Sequence, residues 1–283
     1  MRTVRSRWLL GFVAVVLSLG ASSALAQERP SFEVASVRRA PAELQQGPSF
    51  ARSPRPPIAR ASGQFDATAT LLDLIMWAFG VDAERVEGSF RELDEVFVVA
   101  AKAAGPVLLV RRGEVGPMPQ MVQSLLADRF KLRVRWETRS FPVYALRRTA
   151  TDRLGKNLKR IEADCPAGYP ETVNAAPVGC AIKIAVNGGR VQGVVPRISD
   201  LTTTLAGFTG RRVVDETGLV GGFELSLAFN PKTVDGPLAQ ISRAEDLPSL
   251  ADALRDDLGL KLASSRHDFP VLIIEHVEQP TEN

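Results

Sequence analysis

The chain has 283 residues, 45% of them hydrophobic and 24% charged, values that exclude wholesale disorder and a collagen-like fibre. Lys and Arg total 35 against 32 Asp and Glu, a formal charge of +3 with a pI near 9.1. Taken alone, that balance points to a polyanion or a membrane surface.

The first segment removes that indication. Residues 1–26 read as a secretory signal peptide. Arg2, Arg5 and Arg7 form a positive n-region, Trp8 to Leu19 an apolar h-region, and Ala24-Leu25-Ala26 a small-residue cleavage site ahead of Gln27. The apolar run is shorter than the roughly 20 residues of a membrane span, so cleavage is favoured over an uncleaved anchor. Cleavage takes away three Arg and no acid, leaving 32 basic and 32 acidic residues. The mature chain is neutral, and the global argument for nucleic acid disappears. The expectation is an exported protein, periplasmic or extracellular, with no membrane span after cleavage. A polarity along the chain survives: 25 basic against 18 acidic residues over 27–199, and 7 against 14 over 200–283.

Within residues 27–62, Phe32–Val37 alternates as a strand, and 40–62 is Pro-, Ala- and Arg-rich without periodicity, as in a linker. Residues 63–148 then carry an α+β module. A strand (Gln64–Ala69) leads into a helix (Leu71–Phe79) whose Leu71, Leu74, Ile75 and Ala78 mark one buried face. Two strands follow, near Arg85–Glu87 and over Val96–Ala101, then a helix (Pro119–Asp128). The spacing finally predicts a hairpin-like pair, Lys131–Thr138 with Val143–Arg148. Residues 149–188 form a connector holding Cys165 and Cys180, and an even cysteine count in an oxidising compartment points to one disulfide.

The same order returns over 189–283: Arg190–Val194, Ile198–Phe208, Arg211–Val214, Phe223–Phe229, Leu247–Asp257, then Lys261–Ser265 with Val271–Val277. Asp73 and Asp200 both fall in first helical turns, where the helix dipole favours an acid. Residues 121–146 and 249–274 align at an offset of 128, with Leu126 on Leu254, Phe130 on Leu258, and Phe141-Pro142-Val143 on Phe269-Pro270-Val271. Gly63-Gln64-Phe65 likewise matches Gly189-Arg190-Val191. The predicted fold is α+β: two tandem duplicated βαββαβ-type modules, each a small sheet with two helices.

The blocks FEVASVRRA, GQFDATATLLDLIMWAFGV, LLADRFKLRVRWETRSFPVYAL, VVDETGLVGGFELSLAF and VLIIEHVEQPTEN resemble an uncharacterised family of exported proteins expanded in soil bacteria. Each half also resembles, in apolar spacing and element order, the short N-terminal domains of secretins and TonB-dependent transducers. That second resemblance implies small periplasmic modules that work by protein–protein contact.

Catalytic chemistry is sparse. His267 and His276 are the only histidines, and Ser264, Ser265 and Asp268 are near in sequence without triad spacing. No zinc, calcium or phosphate-loop motif is present, so no catalytic residue, metal or cofactor is assigned. One cluster rises above background: residues 129–160 hold eleven basic groups against two acids. Alternation in KLRVRW places Lys131, Arg133 and Arg135 on one sheet face as a candidate binding surface. The acids Glu245, Asp246, Asp252, Asp256 and Asp257 offer a complementary surface, within the chain or on another copy. These features favour a non-catalytic, exported protein–protein interaction or scaffold module of the cell envelope. The alternatives are an extracytoplasmic hydrolase whose site forms only in three dimensions, or a binder of an anionic ligand or envelope polymer.

Overall fold

The computed structural model describes residues 29–45, 55–110, 115–162, 183–187, 189–238 and 246–280. Residues 1–26, read as a signal peptide, and Cys165, Cys180 and Glu245 lie outside the described residues. The first half comprises β1 (Val34–Arg39), α1 (Ala42–Gln45), β2 (Arg55–Ala59), β3 (Gln64–Thr70), α2 (Leu71–Phe79), β4 (Val86–Glu87), β5 (Val96–Lys102), α3 (Pro117–Phe130) and β6 (Arg133–Arg148). The second comprises β7 (Leu158–Ile161), β8 (Lys183–Asn187), β9 (Arg190–Val195), α4 (Ile198–Thr209), β10 (Val213–Asp215), β11 (Gly222–Ala228), α5 (Leu250–Ala253) and β12 (Leu260–His276). A π turn, Leu254–Leu258, extends α5.

These elements make a mixed α+β fold with three four-stranded sheets. One has the order β1-β5-β3-β2 and another β7-β11-β9-β8, both antiparallel throughout. The third, β10-β6-β12-β4, is shared between the halves. Its centre is the antiparallel pair β6–β12, which runs from Leu260 opposite Arg148 to Ile274 opposite Val134. Each long strand then gains a short parallel neighbour from the other half: β4 on β12, and β10 on β6.

That arrangement corrects the predicted hairpins. Lys131–Thr138 and Val143–Arg148 do not fold back on each other. Arg133–Arg148 is one strand paired with Leu260–His276. The Phe-Pro steps, read as turns, stay extended for a definable reason. The Tyr144 N–H points away from β12 and donates to Arg212 O at 2.8 Å. Pro142, two residues earlier, faces the same side, where no strand has yet joined, so its missing N–H breaks no ladder bond. Strands also occupy stretches read as linker and connector. β2 contains Pro56 and Pro57 and survives because it is an edge strand. β7 and β8 extend the second antiparallel sheet from within 149–188.

Each core is completed by the other half. Phe65, Phe97, Leu71, Leu74, Ile75, Leu126 and Phe130 pack the first core, and Leu272 and Ile274 of β12 close it. Val191, Leu201, Leu205, Phe208, Phe223 and Leu254 pack the second, and Leu146 of β6 closes that one. Edge-to-face rings sit in both, Phe97 on Phe130 at 4.9 Å and Phe208 on Phe229 at 4.8 Å.

Helix ends follow local chemistry. The Thr70 hydroxyl accepts from Asp73 N at 3.1 Å, and the Ser249 hydroxyl from Asp252 N at 3.1 Å. The connector caps the far end of the last helix. Gly155 N donates to Leu258 O at 3.0 Å, and Asn157 N to Asp257 O at 2.8 Å, satisfying carbonyls that a helix terminus leaves open.

Candidate functional site

The structure separates the three basic residues singled out by sequence. Lys131 is not on the strand. It is the C-cap of α3, in the left-handed region at φ 50°, and its ammonium donates to Asp128 O at 2.9 Å. The helix must reverse into β6 there, and the position needs the conformation that Gly259 supplies between the π turn and β12 at φ 68°. Arg133 and Arg135 are exposed strand residues, as predicted. Arg135 is committed to Glu137, and to Glu275 at 3.1 Å. Hydrogen bonds from Arg139 and then Arg135 hold the Glu137 carboxyl below its ordinary range. Arg133 carries no ion pair among the described residues.

Among the described residues this basic strand does not dock on the acidic helix of the same chain. The helix adjoins Leu260, opposite Arg148, whereas Arg135 lies thirteen residues away along β6, roughly 40 Å of strand. The helix acids are taken locally: Asp252 and Asp256 by Arg255 at 2.7 and 2.9 Å, and Asp257 by Lys156 at 3.3 Å.

What Arg133 does line is a groove of about 590 Å³ between α3 and the start of β6. Arg29 and Arg133 supply its positive charge, Gln120 and Gln123 its amides, and Phe79, Leu132 and Val134 its apolar wall; Glu275 is also present. Gln123 is held by donating its amide to Ala78 O at 2.8 Å. Beside the groove, Trp136 stands edge-on to Phe79 at 6.2 Å and is 48% exposed.

A second concavity was not anticipated. A cleft of about 720 Å³ opens where the turn before β4 meets α4 and the turn before β10. Arg212 reaches across it, with Nη2 at 2.6 Å from Asp82 Oδ2 and 3.6 Å from Glu84 Oε2. Its guanidinium lies over the Phe269 ring at 5.0 Å, and Arg85 approaches the same ring at 5.9 Å. Arg85 Nε and Asp82 Oδ1 face each other at 3.5 Å, and neither buried atom has a hydrogen bond. Arg211 stacks on Tyr144 at 4.7 Å and has no carboxylate partner among the described residues. The available signal was the expected correspondence between the halves. Ala83-Glu84-Arg85-Val86 and Gly210-Arg211-Arg212-Val213 lie 127 residues apart, and β4 and β10 bring these turns to the shared sheet.

Neither histidine hydrogen-bonds a Ser, Thr or Cys among the described residues. His267 packs its ring on Phe269 at 4.9 Å, and His276 Nε2 lies 2.7 Å from Glu278 Oε1. Among the described residues no group of three or more His, Cys, Asp or Glu is placed to hold a metal, and no helix is long and apolar enough to cross a membrane.

Fold and sites together define a mixed α+β protein of two interlocked halves, with a basic groove on one and a charged cleft between them. The chain belongs to the family described as protein of unknown function DUF3738, which matches residues 72–277 and so takes in both halves. No curated protein and no solved structure matches it.

Proposed function

We propose that this is an exported, non-catalytic binding protein of the cell envelope that uses the groove at the start of β6 to hold an acidic segment of a protein partner. One observation carries the reading: Arg133, without an acid partner among the described residues, shares a groove with Arg29 beside a half-exposed Trp136. Arg and Trp are the residue types that dominate binding hot spots, and the uncompensated charge selects an acidic partner. Export rests on the signal-peptide pattern of residues 1–26, and the Cys165–Cys180 disulfide would follow from it.

The proposal includes duplication. Its support is the pairing register. Gln64 opposite Lys102 recurs as Arg190 opposite Ala228, and Val86 opposite Leu272 recurs as Val213 opposite Tyr144. Ser140 faces Asp268 and also precedes it by 128 residues, so the register has a local twofold centre at that pair. The likeness to secretin and transducer N-terminal domains fits the same picture of small modules acting by contact.

The test is in-cell photocrosslinking from position 136 of the exported chain. A specific envelope protein is expected, with recovery reduced at least tenfold by Arg133→Glu while the melting temperature is unchanged. Equal recovery in that variant, or capture of a polysaccharide in place of a protein, would contradict the proposal. The polysaccharide result would favour an envelope-polymer binder.

A further inference from the structure

We propose that the cleft between the halves binds a small zwitterion of the amino-acid or short-peptide class. The inference is independent of the groove. About 720 Å³ is within the range of pockets that enclose small organic ligands. Its charges are arranged by sign. Asp82 and Glu84 come from the turn before β4, while Arg211 and Arg212 come from the turn before β10.

The ion pairs that join the walls leave hydrogen-bonding capacity on both. Arg212 uses only Nη2 on Asp82 and Glu84, leaving Nε and Nη1 available. The Arg211 guanidinium lies over the Tyr144 ring and has no carboxylate partner among the described residues, so its N–H groups can serve a ligand carboxylate. Glu84 is 73% exposed and lies 3.6 Å from Arg212, beyond hydrogen-bond range. A simple carboxylate would meet Arg211 but be repelled by Glu84, and a simple amine would meet the reverse. A zwitterion laid antiparallel to the Glu84–Arg212 pair meets opposite charge at both ends. Phe269, Val213, Ala206 and Pro237 supply an apolar surface for its side chain, and the half-buried Arg212 is fixed in place by Phe269 and Asp82.

The inference makes the local twofold functional. The equivalent turns carry Glu84 and Arg211 at corresponding positions, 127 residues apart. Their divergence to opposite charge turns a symmetric junction into a polar one.

The test is NMR titration of the mature chain with phenylalanine, N-acetylphenylalanine and phenylalaninamide. Saturable shifts at residues 82–85 and 210–214 are expected with phenylalanine. Loss of either ligand charge should weaken binding at least tenfold, because each removes a charge-assisted hydrogen bond. Arg211→Ala should do the same with the fold retained, since Arg211 is exposed, has no acid partner among the described residues and gives up only a surface contact with Tyr144, and Arg133→Glu should leave binding unchanged. The inference is overturned if either blocked ligand binds as tightly as phenylalanine, if Arg211→Ala retains full affinity, or if no saturable shift appears up to about 10 mM, a concentration that already detects a contribution near 3 kcal/mol.

Discussion

Replacing Leu201 by alanine tests whether the two halves unfold as one body. Leu201 is fully buried in the second core. Deleting its side-chain methyls costs about 2–5 kcal/mol, the transfer loss plus the cavity left behind. In a chain that starts at Gln27 the tryptophans are Trp77 and Trp136, both in the first half, where Trp77 packs on Phe65 at 4.9 Å. Fluorescence therefore reports the half that was not mutated. With Leu146 closing the second core and Leu272 and Ile274 the first, loss of either core strips apolar cover from the other. For a loss of about 3 kcal/mol and a urea slope of about 3 kcal/mol per M, both fluorescence and far-UV circular dichroism midpoints fall by about 1 M. An unmoved fluorescence midpoint, with circular dichroism splitting into two steps, would refute the interlocking.

Three further outcomes follow from local geometry. Lys131→Gly should raise stability by about 1 kcal/mol in urea denaturation, because it relieves a side chain held at φ 50°. Gly155→Ala should lower it by about 1–3 kcal/mol, because a Cβ there would lie 2.3 Å from Asp257 O and force the connector off the helix end. Glu137 and Asp252 have carboxyl pKa values lowered in the folded state, Glu137 chiefly by its hydrogen bond from Arg139 and Asp252 chiefly by that from Ser249. Their unfolded forms take up protons first, so their contribution is present at neutral pH and is lost as pH falls below the ordinary values of 4.5 and 3.8. Melting temperature followed from pH 7 to about pH 3 should fall less steeply in the Glu137→Gln, Asp252→Asn double variant than in the wild type.

Local elements were legible in the residues because their causes are local. The face of α2 shows in Leu71, Leu74, Ile75 and Ala78, all four buried. Asp73 and Asp200 sit in the first turns where they were placed. Pairing was not legible. Alternation in β6 and β12 states that they are strands, but not which strand each faces, and Phe-Pro looks like a turn until the open edge beside Pro142 is known. Sites divide in the same way. Arg133 and Arg135 were readable as exposed by strand period. Lys131 was misplaced because a left-handed helix cap interrupts that period. The cleft assembles residues from 82–84, from 202–214, and Pro237 and Phe269, and no window of sequence holds them together.

Both proposed sites depend on the exchange between halves: Glu275 of β12 lines the groove of the first, and Asp82 faces Arg212 across the cleft. The β6–β12 register is therefore the claim to test most directly. Ser140 and Asp268 are directly opposite, at a position whose N–H groups point outward like that of Tyr144. Such pairs bring Cα atoms to about 4.5 Å, within disulfide range. With Cys165 and Cys180 replaced by serine, a Ser140→Cys, Asp268→Cys variant should form an intramolecular disulfide in near-quantitative yield, identified by mass spectrometry of the linked peptides. Free thiols at both positions in the folded, oxidised protein would contradict the shared sheet and the sites built on it.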